Sequence, residues 1–425
     1  MAAGGVIEPV PLFADRREWT LFLLVAALLF SAHLAWRYIG YRDFVSRPFY
    51  YTWGRVLQER IREGKHGSYR LLTVRSDGGM RFYTRSYRRE SLEGRRIRLQ
   101  LFPSEGPGFL RYLGTPYIPS RLREVGAKED GPHRRLAEAI AAQHRDREAA
   151  AFYRGIFLAD PLPTELRERI AALGASHLVA LSGFHLSILW GAVFWLLRPL
   201  YRWGQRRWFL WRYDLLDLGA LGLVLLAGYL WLTGAPPSLL RSYAMLLLGW
   251  AALLLGLEIV SFGFWVVTGV VLLVLFPGLA FSLGFWLSMA GVFAIFLLLK
   301  YFGHLPSRWV ALGVIPVGIY ALMLPLTHAL FPVLSPWQHL SPLLSLGFVL
   351  FYPLAILLHL LGVGGWMDPL LQWLWHLPAG NVEFRSLPPW TLPLYIALAL
   401  MAVRSRLAFA GMGGAVLGTL VWMGG

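Results

Sequence analysis

The sequence predicts a mainly α, polytopic membrane protein of about ten transmembrane helices, with a small extracytoplasmic β-barrel near its N-terminus. Three observations predict it. Hydrophobic residues fill 56% of the 425 positions, and the mean hydropathy is +0.52. From position 176 onward, apolar runs reach the roughly 18 residues that mark a bilayer-spanning helix again and again. Between the first such run and the rest lies a polar stretch, residues 40–175, with 26 Lys and Arg against 16 Asp and Glu.

The charge balance narrows the function. The net charge is +16, and residues 176–425 hold only 11 basic and 5 acidic side chains. The basic extramembrane stretch suits a polyanion such as nucleic acid or anionic lipid. Positive-inside bias does not explain it, because that rule governs short loops. With no cysteine, disulfides, thiolate zinc sites and cysteine nucleophiles are excluded. Gly64-Lys65 lacks the upstream glycine and following Ser or Thr of a nucleotide-binding loop, so any transport draws its energy from elsewhere.

The elements follow in order, over segments 1–40, 41–131, 132–175 and 176–425. Arg16 and Arg17 precede an apolar run that continues through Trp36 and Tyr38 without a small-residue cleavage site. This reads as an uncleaved first helix, 19–39, with its N-terminus inside. Strands are expected at 51–61, 68–77, 80–87 and 95–102, punctuated by Asp77-Gly78-Gly79 and Glu93-Gly94. Four or five such strands point to a barrel of the OB type. Residues 103–119 read as loop. A single helix is expected over 133–158, then a short helix 165–173 capped by Thr164 and ended by Gly174. Candidate spans are 177–197, 215–233, 237–256, 259–276, 282–300, 308–330, 342–363, 389–403 and 407–423, with an interfacial helix at 366–377. Arg198, Arg202, Arg206, Arg207 and Arg212, then Lys300 and Arg308, place their loops inside and the 40–175 stretch outside. Arg404 and Arg406 break that pattern. The segment dense in Pro325, Pro332, Pro336 and Pro342 is therefore expected to be broken or re-entrant.

Two sets of residues stand out. Strand alternation puts Arg81, Tyr83, Arg85, Tyr87 and Arg89 on one face, opposite Met80, Phe82 and Thr84, and Arg96 and Arg98 on the next strand extend it. Single-strand binders combine guanidinium groups for phosphates with rings for base stacking; an ordinary solvated strand face is the alternative. Arg241 lies one turn into a span opened by Pro236-Pro237-Ser238. A cation there marks a pathway or a partner, unless it snorkels or pairs with Asp214, Asp217 or Glu258.

Residues 173–189 read Leu-Gly-Ala-Ser-His-Leu-Val-Ala-Leu-Ser-Gly-Phe-His-Leu-Ser-Ile-Leu. His177 and His185 share a face if the segment is one helix. Ser182 and His185 are three apart, but no acidic orienter or nucleophile elbow accompanies them, which argues against a hydrolase. The stretch resembles the signature of the ComEC competence family, Gly-x-x-His-Leu-Leu-Ala-(Ile/Val)-Ser-Gly-x-His, at Gly174, His177, Leu178, Ala180, Ser182, Gly183 and His185. Leu158 to Asp160 and Leu162 to Arg167 resemble the family's lead-in. Thr233 to Met245, with Ser238 and Arg241, resembles its Pro-Ser-x-x-Arg motif, and Phe281 to Ser288, with Phe285 and Ser288, its Gly-Phe-x-Leu-Ser motif.

The resemblance implies a non-enzymatic inner-membrane channel that carries single-stranded DNA into the cytoplasm during natural transformation. Its OB-like domain would face the periplasm. The implied partners are single-stranded DNA, membrane lipid, a periplasmic DNA receptor, a cytoplasmic helicase or ATPase, and single-strand-binding proteins. Many members end in a metallo-β-lactamase-like domain needing a His-x-His run. None occurs here, so a short form without cofactor or metal is expected. A transporter of a small anionic or lipid-linked substrate is the alternative.

Overall fold

A computed structural model describes residues 10–64, 67–103, 106–128, 131–208, 211–378 and 382–424. Lys65 of the Gly64-Lys65 pair lies outside them. The chain divides into two units. One comprises Phe13–Arg135 with Val267–Trp286; the other comprises Leu136–Val266 and Leu287–Gly425, with the N-terminal residues through Leu12.

In the first unit, helix α1 (Arg16–Ser46) begins at Asp15, whose carboxylate accepts from the N–H groups of Arg17 and Glu18 at 2.9 Å each. That satisfies two of the donors a helix start leaves open. Its leucines 21, 24 and 28 are exposed, as a lipid-facing helix requires. Five antiparallel strands follow: β1 (Tyr50–Gly64), β2 (Gly67–Ser76), β3 (Arg81–Ser86), β4 (Arg95–Leu101) and β5 (Ser120–Lys128). A one-turn helix α2 (Phe109–Tyr112) precedes β5. The strand order is β3-β2-β1-β4-β5. Val56, Leu72, Val74, Phe82, Ile97 and Leu99 alternate inward to form the core.

The expected closed barrel is not formed. No ladder joins the edge strands β3 and β5. Thr84 Oγ1 of β3 meets Ser120 Oγ of β5 at 2.6 Å, and Tyr83 pairs with the segment just before β5: its N–H donates to Pro116 O at 2.7 Å and its carbonyl accepts from the Ile118 N–H at 2.8 Å. The segment 116–118 runs parallel to β3 there and turns away at Pro119, which has no N–H to continue the pairing.

The rest of the chain is mostly helical and falls largely in the second unit; Val267–Trp286, which holds most of the helix Phe262–Leu275 and the start of the helix Leu283–Phe302, belongs to the first. The single helix expected over 133–158 is two, α3 (Pro132–Ala141) and α4 (Arg147–Leu158). Asp146 splits them, because its side chain accepts from the N–H groups of Glu148 and Ala149 and so starts a new helix. Thr164 is not the cap of the next helix. It is the first residue of α5 (Thr164–Ala172), preceded by Pro163.

Then come α6 (Ser176–Val179), α7 (Gly183–Trp208), α8 (Asp214–Leu232), α9 (Pro237–Leu254) and α10 (Phe262–Leu275). Next is α11 (Leu283–Phe302), followed by α12 (Ser307–Trp309), which runs through a π-helical stretch into α13 (Ile315–Leu330). The chain closes with α14 (Ser341–Leu360), α15 (Asp368–His376), α16 (Thr391–Ala402) and α17 (Arg406–Gly424). The proline-dense segment is broken, as its composition predicts. Pro325 lies inside α13, a short ladder pairs β6 (Val333–Leu334) with β7 (Glu383–Phe384), and Pro336 opens a 3-10 turn before α14.

Among the described residues seven helices, not ten, are long and apolar enough to cross a membrane. The three that fall short are Ser238–Leu254, Phe262–Leu275 and Thr391–Ala402. At 1.5 Å per residue, α10 reaches only about 21 Å against a hydrocarbon core of about 30 Å. A helix forms within the expected 366–377 stretch, α15, which buries Leu371 and Trp375 and exposes Leu370 and Trp373.

Candidate functional site

The first motif forms a joint rather than a continuous helix. After α5 the chain turns at Gly174, with φ +67°. A Cβ there would lie 3.1 Å from the carbonyl oxygen of Gln338 and 3.2 Å from its Cα, so glycine alone lets the turn rest on the start of α14. Ser341 Oγ donates to Gly174 O at 3.0 Å. His177 Nε2 meets Ser345 Oγ at 2.9 Å, one turn further along α14.

The backbone leaves the helix between Val179 and Gly183, so His177 and His185 do not share one helical face. His185 has 0% exposure and lies edge-on to Phe348 and Tyr352. Its Nδ1 accepts from the Ser182 N–H at 3.4 Å and faces Ser182 Oγ at the same distance. The ring proton is then on Nε2, which is buried with no hydrogen-bond partner at normal distance among the described residues.

The second motif meets the first. A Cβ on Gly183 would lie 3.5 Å from Ser242 Oγ on α9, and Leu181 and Leu186 pack in one cluster with Leu239. Ser242 donates to the carbonyl of Ser238, which ties Ser238 into the helix. Between them Arg241 is 7% exposed, and its Nε is buried without a partner among the described residues. Two of the carboxylates considered for it are engaged elsewhere. Asp214 takes Arg198 and Arg202 at 2.8 Å each, and Asp217 takes Arg212 and Tyr201. In the third motif Phe285 is fully buried, and its N–H donates to Ser282 Oγ at 3.3 Å; Ser288 is half-buried on the same helix.

On the sheet, Arg81, Tyr83 and Arg85 point outward from β3, and Phe82 and Thr84 are buried. Tyr87 and Arg89 lie past the strand's end, where the carbonyls of Arg88 and Arg89 accept from Arg70. Arg96 and Arg98 do not sit beside β3 as expected, because β1 and β2 lie between β3 and β4. Two residues that sequence reasoning missed bridge the gap. Arg96 pairs across strands with Arg55, Arg55 with Arg75, and Arg75 with Arg81. Four arginines thus stand in one row across β4, β1, β2 and β3. Burial, and then the Arg75 guanidinium, lower the affinity of Arg81 for its proton.

Aromatic rings flank the row. Arg85 lies over Tyr69 and Tyr117 at 5.1 Å, Arg96 over Trp53 and Arg98 over Tyr51 at 5.6 Å. Ion pairs to Asp77 and Glu124 engage Arg96 and Arg98 at exposed positions, where such pairs hold weakly.

The chain matches the model of the family described as Competence protein over residues 159–409, which includes all three motifs and excludes the sheet. An uncharacterized protein of Escherichia coli K12, YcaI, is 27% identical over 290 residues, 61% of this chain and 38% of that protein's length. No solved structure matches.

Proposed function

Because the chain belongs to the Competence protein family, we propose that this multi-pass membrane protein is the inner-membrane channel that translocates single-stranded DNA into the cytoplasm during natural transformation. The observation that carries the proposal is Arg241. It is a buried cation within an apolar helix, its Nε without a partner among the described residues, beside a break in the neighbouring helix. A charge so placed costs several kcal/mol unless an anion visits it. Irregular backbone persists at membrane depth only where it is enclosed by protein or lines water. A chain of phosphates meets both conditions.

The sheet domain is the entry platform in this reading. Its strand order and the short link at Tyr83 support an OB-like module, and its arginine row with adjacent rings suits a single strand. It faces the periplasm, consistent with the arginines of the 198–212 loop lying inside. The implied partners are a periplasmic DNA receptor, and a cytoplasmic helicase or ATPase with single-strand-binding proteins. Ser182 has no catalytic role in this proposal: among the described residues no carboxylate orients His185 as its base.

A transporter of a small anionic or lipid-linked substrate would also use Arg241, but it leaves the arginine row without a purpose. Deleting the gene and following fluorescent DNA separates the two. The channel reading expects label in the periplasm and none in the cytoplasm. Label in the cytoplasm contradicts it and favours the small-substrate transporter.

A further inference from the structure

The turn between α3 and α4 carries a second buried polar cluster that the channel reading does not use. His144 is at its centre, with a side chain 0% exposed. Its Nδ1 lies 3.0 Å from both carboxylate oxygens of Asp368, the first residue of α15. Its Nε2 lies 2.9 Å from Nε2 of His359, in the last turn of α14. His359 Nδ1 in turn points at the Ala355 carbonyl at 2.7 Å. Gln143 fastens the same joint, donating to the His359 carbonyl at 3.1 Å and accepting from the Gly364 N–H at 2.8 Å. A Cβ on Gly364 would lie 2.6 Å from His359 Nε2, so a larger residue would push the ring away from His144.

Making all three of these contacts hydrogen bonds at once takes a definite number of hydrogens. A carbonyl oxygen only accepts, so His359 Nδ1 carries a hydrogen. The link between the two Nε2 atoms needs a second, and the link from His144 to the carboxylate a third. Two neutral imidazoles and a carboxylate supply only two. The remaining one is an extra proton, and it leaves the buried set with no net charge, which a low-dielectric site favours over a lone carboxylate.

The surroundings agree. Both oxygens of Asp368 stand 3.0 Å from Nδ1, within reach of an N–H on that nitrogen. Tyr153 on α4 stacks flat on His144, with centroids 4.6 Å apart and planes 13° apart, and an aromatic face attracts a cation. The other charged groups around the site are accounted for. Asp146 in the turn is held by Gln372 of α15 and by the N–H groups that start α4. Arg145 and Arg147 are exposed. The Tyr153 hydroxyl is buried without a hydrogen-bond partner among the described residues.

We propose that Asp368, His144 and His359 form a proton-binding site, in which His144 is held as an imidazolium between the carboxylate and the second imidazole. The bound proton fastens the 142–146 turn to α14 and α15. When it leaves, one of the three hydrogen bonds fails and two acceptors face each other. The seating of the connecting helices on the membrane helices is then proton-dependent.

Nitrogen NMR of the full chain in lipid nanodiscs, with its 11 histidines labelled with ¹⁵N, tests this. At pH 7.5 the wild type is expected to show one histidine with both ring nitrogens in the N–H form. Asp368→Asn is expected to lose it while keeping the fold, because the asparagine amide itself donates the third hydrogen to His144 Nδ1. His144→Gln is expected to lose it as well. A wild-type spectrum with only neutral rings at pH 7.5 overturns the proposal whatever the variants do. So does an imidazolium signal that survives either substitution.

Discussion

Gly174 meets two demands at once, a left-handed backbone and contact with the backbone of Gln338. A side chain at a left-handed position costs roughly 1–2 kcal/mol, and forced contacts add about 1–3 kcal/mol. Gly174→Ala is therefore expected to lower the thermal midpoint of the detergent-solubilised chain by several degrees. Gly191→Ala, which has open space around its Cβ, is expected to leave the midpoint unchanged or raise it slightly. Equal midpoints in the two variants would contradict this account of the joint. Gly174 and Arg241 were legible in the sequence, one as a helix stop within a motif and the other as a cation in an apolar run. The burial of His185 was not, because Phe348 and Tyr352, which enclose it, are more than 160 positions away.

At the scale of elements, alternation along β3 predicted which side chains face out, and β3 obeys it from Arg81 to Ser86. Neighbours across strands were not legible, because they depend on the register of β1, which has a bulge between Val56 and Gln58, and on β1 taking the central place. Arg55 and Arg75 therefore went unnoticed. Like charges directly opposite on a sheet are destabilising, so a row of four needs a reason to exist. Replacing Arg55 and Arg75 by Gln is expected to weaken single-stranded DNA binding by the full chain. The slope of log affinity against log salt should fall by about 0.7 per lost phosphate contact. An unchanged slope would argue that the row does not meet DNA. The split between α3 and α4 was also missed, since Asp146 sits in an otherwise helical pattern. Asp146→Ala is expected to cost about 1 kcal/mol, read as faster amide exchange in the first turn of α4; unchanged exchange would contradict the cap.

For the whole molecule, hydropathy located every apolar helix but overstated how many are long enough to span. Composition reports that a run is apolar and says less about where Gly256 or Pro277 will end it. The family match covers the helices and motifs and leaves the basic sheet domain to physical argument. In the proposed function both the arginine row and Arg241 meet phosphates of the translocated strand. A charge-assisted hydrogen bond contributes about 1.5–3 kcal/mol, roughly 10- to 100-fold in an equilibrium. The most direct test is to follow fluorescent DNA in cells carrying Arg241→Gln at an unchanged level of membrane-inserted protein. The account predicts that DNA collects in the periplasm and that transformation falls by at least that factor. DNA reaching the cytoplasm at the wild-type rate would contradict it.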